Sequence, residues 1–175
     1  MKRKKQAGFT LIEIIVALAI SAAIGLGAAG VINALYGTTH ASQDMQAVNT
    51  IENAASWINQ DVLASQTVSA NMTPQFIITL EREWVEIQNA LPVNSYSNIV
   101  YRLNGTNLER NESKVIGNAS PVVTNSIVAR DIDNNPTFTH CSSDRGMLSL
   151  TLTSNVGSVR ETRDYQLKVR PDVPQ

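Results

Sequence analysis

One cysteine, Cys141, stands in 175 residues. No intrachain disulfide can form, even in an oxidising compartment. The thiol reads as a buried, small apolar residue, with a reactive thiol as the alternative. No Lys, Arg or His lies between Lys5 and His40, and residues 14–32 carry no charge of either sign. At 1.5 Å per residue that stretch gives roughly 28 Å of helix, close to the ~30 Å hydrocarbon layer of a membrane. Catalytic signatures are missing as well: no G-x-S-x-G, P-loop or H-E-x-x-H pattern occurs. His40 sits just beyond the apolar run and His140 beside Cys141, too far apart in sequence to form a local motif. The chain is read as non-enzymatic, and no cofactor is expected.

Ahead of the run come Lys2, Arg3, Lys4 and Lys5, with no acid before Glu13. Such a cluster holds its end on the cytoplasmic side of a membrane. A single-pass protein with its N-terminus in and its head exported is therefore expected. The formal net charge is −1, and without those four residues the 15 acids clearly outnumber the remaining bases. No dense Lys/Arg cluster occurs elsewhere, which argues against nucleic acid as a partner. Two other readings of the run stay open. The small residues at 22–30 keep an ordinary cleaved secretory signal in view, although the run is long for one, and a plain uncleaved anchor needs only its length.

Glu13 is the anomaly. A carboxylate entering a membrane costs several kcal/mol unless it is neutralised or paired, so such acids are functional candidates by default. The span offers no side-chain cation. A cut between Gly8 and Phe9 would supply one, because Phe9 would then carry a free ammonium four residues from Glu13 on the same helix face. In an assembly, that ammonium could instead meet Glu13 of a neighbouring chain and set the register between them. The plainer alternative keeps Glu13 near the headgroups, helped by the positive helix N-terminus.

Lys5-Gln6-Ala7-Gly8-Phe9-Thr10-Leu11-Ile12-Glu13, followed by the apolar run, resembles the leader and N-terminal signature of type IV pilins and of the pseudopilins of type II secretion systems. The resemblance covers residues 1 to about 35. It implies cleavage after Gly8, N-methylation of Phe9 by a prepilin peptidase, and pairing of Glu13 with a neighbouring Phe9 amine during filament assembly. The implied partners are that peptidase/methyltransferase, other pilin or pseudopilin subunits, an inner-membrane assembly platform, and membrane lipid before assembly. The head would lie in the periplasm or outside the cell. Type IVa major pilins usually close their C-terminal region with a disulfide, so the single cysteine implies a minor pilin or pseudopilin. Many major pilins also carry a proline late in the span. Here Gly30 lies in that region, which weakens the helix by about 1 kcal/mol relative to alanine without kinking it. Type II secretion, a type IV pilus and a DNA-uptake filament share the leader.

Beyond Gly37 the pattern turns amphipathic, with Met45, Val48, Ile51, Ala55, Ile58 and Val62 at helical spacing. The expected fold is α+β, in which one helix over residues 9–66, roughly 87 Å long, has its second half packed on an antiparallel sheet. Trp57 and Ile58 are expected to help bury that interface, with ligand stacking as the alternative for Trp57. Residues 67–74 read as a linker ended by Pro74. Segments 76–80 and 84–88 read as a hairpin turning at Glu81-Arg82-Glu83. Segments 98–103 and 107–110 flank Asn104-Gly105-Thr106, a strong hairpin turn. That second hairpin, with Tyr101-Arg102-Leu103 before the turn and Leu108-Glu109-Arg110 after it, is similar to one in minor pseudopilins of the J type. Residues 122–132 read as strand, with helix as the alternative, and 131–136 as a turn. Segments 147–153 and 162–170 form a terminal hairpin, and 171–175 a frayed end.

Two clusters invite a metal. His140, Cys141 and Asp144 fail because adjacent strand residues face opposite ways. Asp131, Asp133, Asn134 and Asn135 offer oxygens of the kind calcium prefers, and some pseudopilins bind calcium in a C-terminal loop. Yet the run lacks the Gly and distal Glu of an EF-hand, and Asp-Asn-Pro clusters are ordinary turn chemistry. No metal site is assigned. The expected division is a leader at 1–8, a membrane and filament-core helix at 9–36, its amphipathic continuation at 37–66 and a β-rich head at 67–175. The rival from another class is a ligand-binding or adhesive head on a permanent anchor, with no filament.

Overall fold

A computed structural model describes residues 10–72 and 76–169. Residues 2–5, Gly8, Phe9, Pro74 and the tail 171–175, all singled out above, lie outside the described residues. The chain divides into two units, Met1–Ser42 and Gln43–Gln175. Helix α1 runs Leu11–Ala64. In the first unit its apolar side chains are uncovered, Leu11 and Leu26 each being 77 % exposed.

In the second unit the same helix buries Ala47, Ile51, Ala54, Ala55, Ile58, Asp61 and Val62. These recur every three or four residues, which puts them on one face. Met45 was expected on that face but is exposed, and Ala47 takes its place at the start of the stripe. Trp57 also departs from expectation. Ile58 is fully buried, whereas Trp57 is 47 % exposed because it lies one residue off the stripe. Burying Ile51, Ile58 and Val62 contributes about 1.5–3 kcal/mol each. The helix stops after Ala64, where Ser65 donates from Oγ to the Asp61 carbonyl at 2.6 Å and from N to the Val62 carbonyl at 3.2 Å. Two carbonyls of the last turn are satisfied in this way.

Eight strands follow: β1 (Thr67–Asn71), β2 (Ile77–Gln88), β3 (Leu91–Asn104), β4 (Asn107–Ile116), β5 (Val122–Ala129), β6 (His140–Asp144), β7 (Met147–Val156) and β8 (Val159–Lys168). β1 to β5 form an antiparallel sheet in chain order, and β6 to β8 form a second one. The core joins Ile51, Ile58 and Val62 of the helix to Ile78, Leu80, Ile99, Tyr101 and Leu108 of the first sheet and Leu148, Leu150 and Leu152 of the second. An α+β fold with a long N-terminal helix packed on antiparallel sheets is what the pattern predicted.

Three local expectations are corrected. Residues 67–71 are an edge strand, with Thr67 opposite Glu81 and Asn71 opposite Ile77. The Gln66 side chain prolongs this pairing. Its amide donates to the Glu83 carbonyl at 2.8 Å, and its oxygen accepts from the Glu83 N–H at 2.7 Å. Glu81, Arg82 and Glu83 make no turn, and β2 passes straight through them. Its hairpin with β3 turns at Asn89-Ala90 instead, both at positive φ, 51° and 65°. The terminal hairpin is longer than expected, its turn reduced to Gly157-Ser158.

The expected hairpin joins β3 to β4, its turn shortened to Gly105-Thr106 because Asn104 pairs with Asn107, which sets Leu103 opposite Leu108. Residues 122–129 form the expected strand. Past it the chain makes a pinned loop: Ile132 bridges Ser154, Asp133 Oδ1 accepts from the Asn135 N–H at 2.9 Å, and Asn135 Oδ1 accepts from the Thr137 N–H at 3.0 Å. These are the side-chain-to-backbone turns that Asp and Asn favour.

Candidate functional site

The described start of α1 is built by two residues. Thr10 stands just before the first helical position, and its carbonyl accepts the first helical hydrogen bond, from Ile14 N at 3.3 Å. Its Oγ1 accepts from the Glu13 N–H at 3.4 Å, while Glu13 Oε2 accepts from the Thr10 N–H at 2.9 Å and from the Thr10 hydroxyl at 3.0 Å. This reciprocal arrangement is a capping box, which satisfies donors that a helix start otherwise leaves without partners. The polar partner that Glu13 lacked in the sequence reading is thus Thr10. The Thr-x-x-Glu spacing carries that signal, and the reading built on charge alone passed over it. Both donors converge on Oε2, and Oε1 takes part in neither bond.

From Leu11 onward the helix presents Ile12, Ile14, Ile15, Val16, Leu18, Ile20, Ile24 and Leu26 uncovered. The helix is long and apolar enough to cross a membrane.

The second unit holds a polar network that the sequence reading missed. Asp61 lies on the buried helix face. Arg110 of β4 donates to it twice, Nε to Oδ2 at 2.7 Å and NH2 to Oδ1 at 3.1 Å, and the Tyr101 hydroxyl of β3 also donates to Oδ2. The remaining Arg110 nitrogen, NH1, reaches Glu112 Oε2 at 2.9 Å. Glu112 Oε1 also accepts from Ser97 Oγ at 3.0 Å and from Arg82 NH2 at 3.2 Å. The Arg110 guanidinium lies 5.7 Å from the centre of the half-exposed Trp57 ring. Burial, with the Asp61 carboxylate beside it, pushes the Tyr101 hydroxyl far above the usual phenol range. The Asp61 hydrogen bonds raise Arg110 further, against the effect of burial. Burial works against the Glu112 carboxylate, yet the bonds from Arg110 and Ser97 and the charges of Arg110 and Arg82 leave it below the ordinary carboxylate value. Every oxygen of both carboxylates is engaged, so the cluster fastens the helix to the sheet. Tyr101 and Arg110 belong to the hairpin whose sequence resembled that of J-type pseudopilins.

His140 and Cys141 alternate on β6 as expected, exposed and buried respectively. Burial pushes the Cys141 thiol up to about 12, which removes it as a nucleophile near neutrality. Asp133 spends its oxygens on Asn135 N, on Asn155 Nδ2 at 2.7 Å and on Arg160 NH2 at 3.5 Å. Among the described residues no three of His, Cys, Asp and Glu gather as metal ligands would.

Residues 3–29 match the model of the prokaryotic N-terminal methylation motif. This is the type IV pilin and pseudopilin signature. It covers Arg3, Lys4 and Lys5 of the basic cluster, the Gly8-Phe9 junction, the Thr10–Glu13 box and most of the uncovered apolar helix. Such a signature marks structural subunits rather than enzymes, and it implies processing by a prepilin peptidase and assembly with other pilins. Signature and fold together support a type IV pilin-like or pseudopilin subunit, anchored to a membrane by its N-terminal helix. No curated protein matches the chain.

Proposed function

We propose that the chain is a minor pilin or pseudopilin, made as a precursor, cut after Gly8, N-methylated on Phe9 and added to a filament through its N-terminal helix. One observation carries this reading: the methylation motif at residues 3–29 opens directly into a helix whose apolar side chains are left uncovered. Stored in a membrane, that surface meets lipid. In a filament it meets the same surface of neighbouring helices, so extraction from lipid is offset by close packing. Residues 1–8 would be the leader, 9–36 the span, 37–66 its continuation and 67–175 the head.

Glu13 would supply the register. With Thr10 occupying Oε2, Oε1 is the oxygen left to receive the ammonium of a neighbouring Phe9, and methylation leaves that amine basic. The apolar surroundings strengthen the attraction and penalise a neighbour that is out of step.

The test is the mass and N-terminal sequence of the protein recovered from membranes of its native host. A chain beginning with N-methylated Phe9 is expected. One still beginning at Met1 would make it a fixed anchor for its head and overturn the proposal. Gly8→Ala is expected to block processing, whereas Glu13→Leu is cut normally but fails to enter filaments.

A further inference from the structure

Four strands lie at sheet edges: β1 and β5 in the first sheet, β6 and β8 in the second. An edge strand presents unpaired backbone groups, and folded proteins usually protect it with charge, proline or cover. Three of the four are protected. The Ala70 N–H of β1 donates to Ser143 Oγ of β6 at 3.0 Å, so the edges of the two sheets meet there. β8 carries Arg160, Glu161, Arg163, Asp164 and Lys168 along its length, and it is tied to the helix through the hydroxyl of Tyr165, which donates to Glu52 at 3.1 Å.

β5 has none of these devices, and its one bulge against β4, at Val128, lies beyond the exposed run Val122 to Ile127. Its sequence, Val-Val-Thr-Asn-Ser-Ile-Val-Ala, holds no charge and no proline, and Val122 to Ile127 are all exposed. It pairs with β4 alone, and no side chain among the described residues caps its outer edge. Val122 is 65 %, Val123 57 % and Ile127 49 % exposed. Because neighbouring strand residues face opposite ways, apolar surface is offered on both faces beside the free edge.

We propose that β5 is an association edge, and that its occupant is β5 of a second copy of this chain, paired antiparallel across a two-fold axis. The edge selects an extended, uncharged strand rich in β-branched residues with its own outer ladder free. β5 itself is the strand of this molecule that meets each condition. Self-pairing brings no like charges together and joins two five-stranded sheets into one. The proposal does not rest on the processing reading: an uncut Gly8→Ala chain should associate equally well.

The experiment uses the full chain in detergent micelles. Antiparallel pairing about a two-fold sets one residue opposite its own copy. Single cysteines at 124, 125 and 126, each in a Cys141→Ala background, should therefore cross-link with one clear maximum. Light scattering across a concentration series should show dimers. Asn125→Lys and Asn125→Glu, at the middle of those three positions and opposite the neutral Asn111, should each weaken dimerisation roughly tenfold with little change in thermal unfolding, and an equimolar mixture of the two should recover it. Monomers at every concentration, or dimers unaffected by both charge variants, would overturn the proposal. So would protection of the β5 backbone that follows a co-purified subunit rather than the concentration of this chain, which would give the edge to a different partner.

Discussion

Arg110 holds Asp61 in a two-pronged grip, 2.7 Å at one oxygen and 3.1 Å at the other, with both side chains about nine-tenths buried. The pair ties the end of the helix to β4 across 49 residues of sequence. Removing Asp61 leaves Nε and NH2 of the buried Arg110 guanidinium without their acceptor, with only NH1 keeping a carboxylate, that of Glu112. Asp61→Ala should therefore cost about 3–5 kcal/mol. Tyr101→Phe should cost about 1–3 kcal/mol, since it deletes one hydrogen bond to a charged acceptor. Urea unfolding of the two variants checks both values, and equal losses would contradict the ranking.

The Glu112 carboxylate gives the head a defined acid response. Its folded pKa lies below its unfolded value, so its contribution is fully present above the unfolded pKa of about 4.5 and is lost as pH falls through the folded value. Glu109, held low by bonds from Asn104 and Arg102, has the same sign. The urea midpoint should thus fall with acid below the unfolded value. Glu112→Gln should flatten part of that fall while lowering the midpoint at neutral pH. A parallel downward shift of the curve at every pH would remove Glu112 from the account.

The turn between β2 and β3 has a residue in an uncomfortable conformation. Ala90 sits at φ 65°, where a Cβ crowds the following carbonyl, and the two-residue loop would suit Asn-Gly better than the Asn-Ala present. Ala90→Gly should stabilise the protein by about 1 kcal/mol, net of the greater freedom glycine gains in the unfolded chain. Thermal unfolding of this variant decides the sign.

What the sequence reveals depends on whether its signal is local. Gly105 marks its turn because glycine accepts positive φ readily, and the hairpin around it is legible. Asn89-Ala90 carries half of that signal, so the charged Glu81-Arg82-Glu83 looks like the better turn until pairing with β3 overrides it. Residues 67–71 look like linker because their small polar side chains say little, and β2 supplies the strand. The helix stripe is legible from Ile51 to Val62, but Asp61 within it is not. Its burial is intelligible only once Arg110 and Tyr101, far along the chain, are in place. At the N-terminus every relevant group lies within a few residues, so the motif can be read directly, as can the Thr10–Glu13 box.

The core also has an order in time. Its helix face, Ile51 to Val62, lies early in the chain, and the leucines of β7 that help cover it, Leu148 to Leu152, come near the end. The five-stranded sheet between them is a succession of hairpins that close over short loops. A chain growing from its N-terminus can therefore pair β1 through β5 early, yet it must carry part of its apolar helix face uncovered until the last strands arrive. The contact that completes the core is among the most distant in sequence, and contacts of that kind carry the largest loop-closure cost.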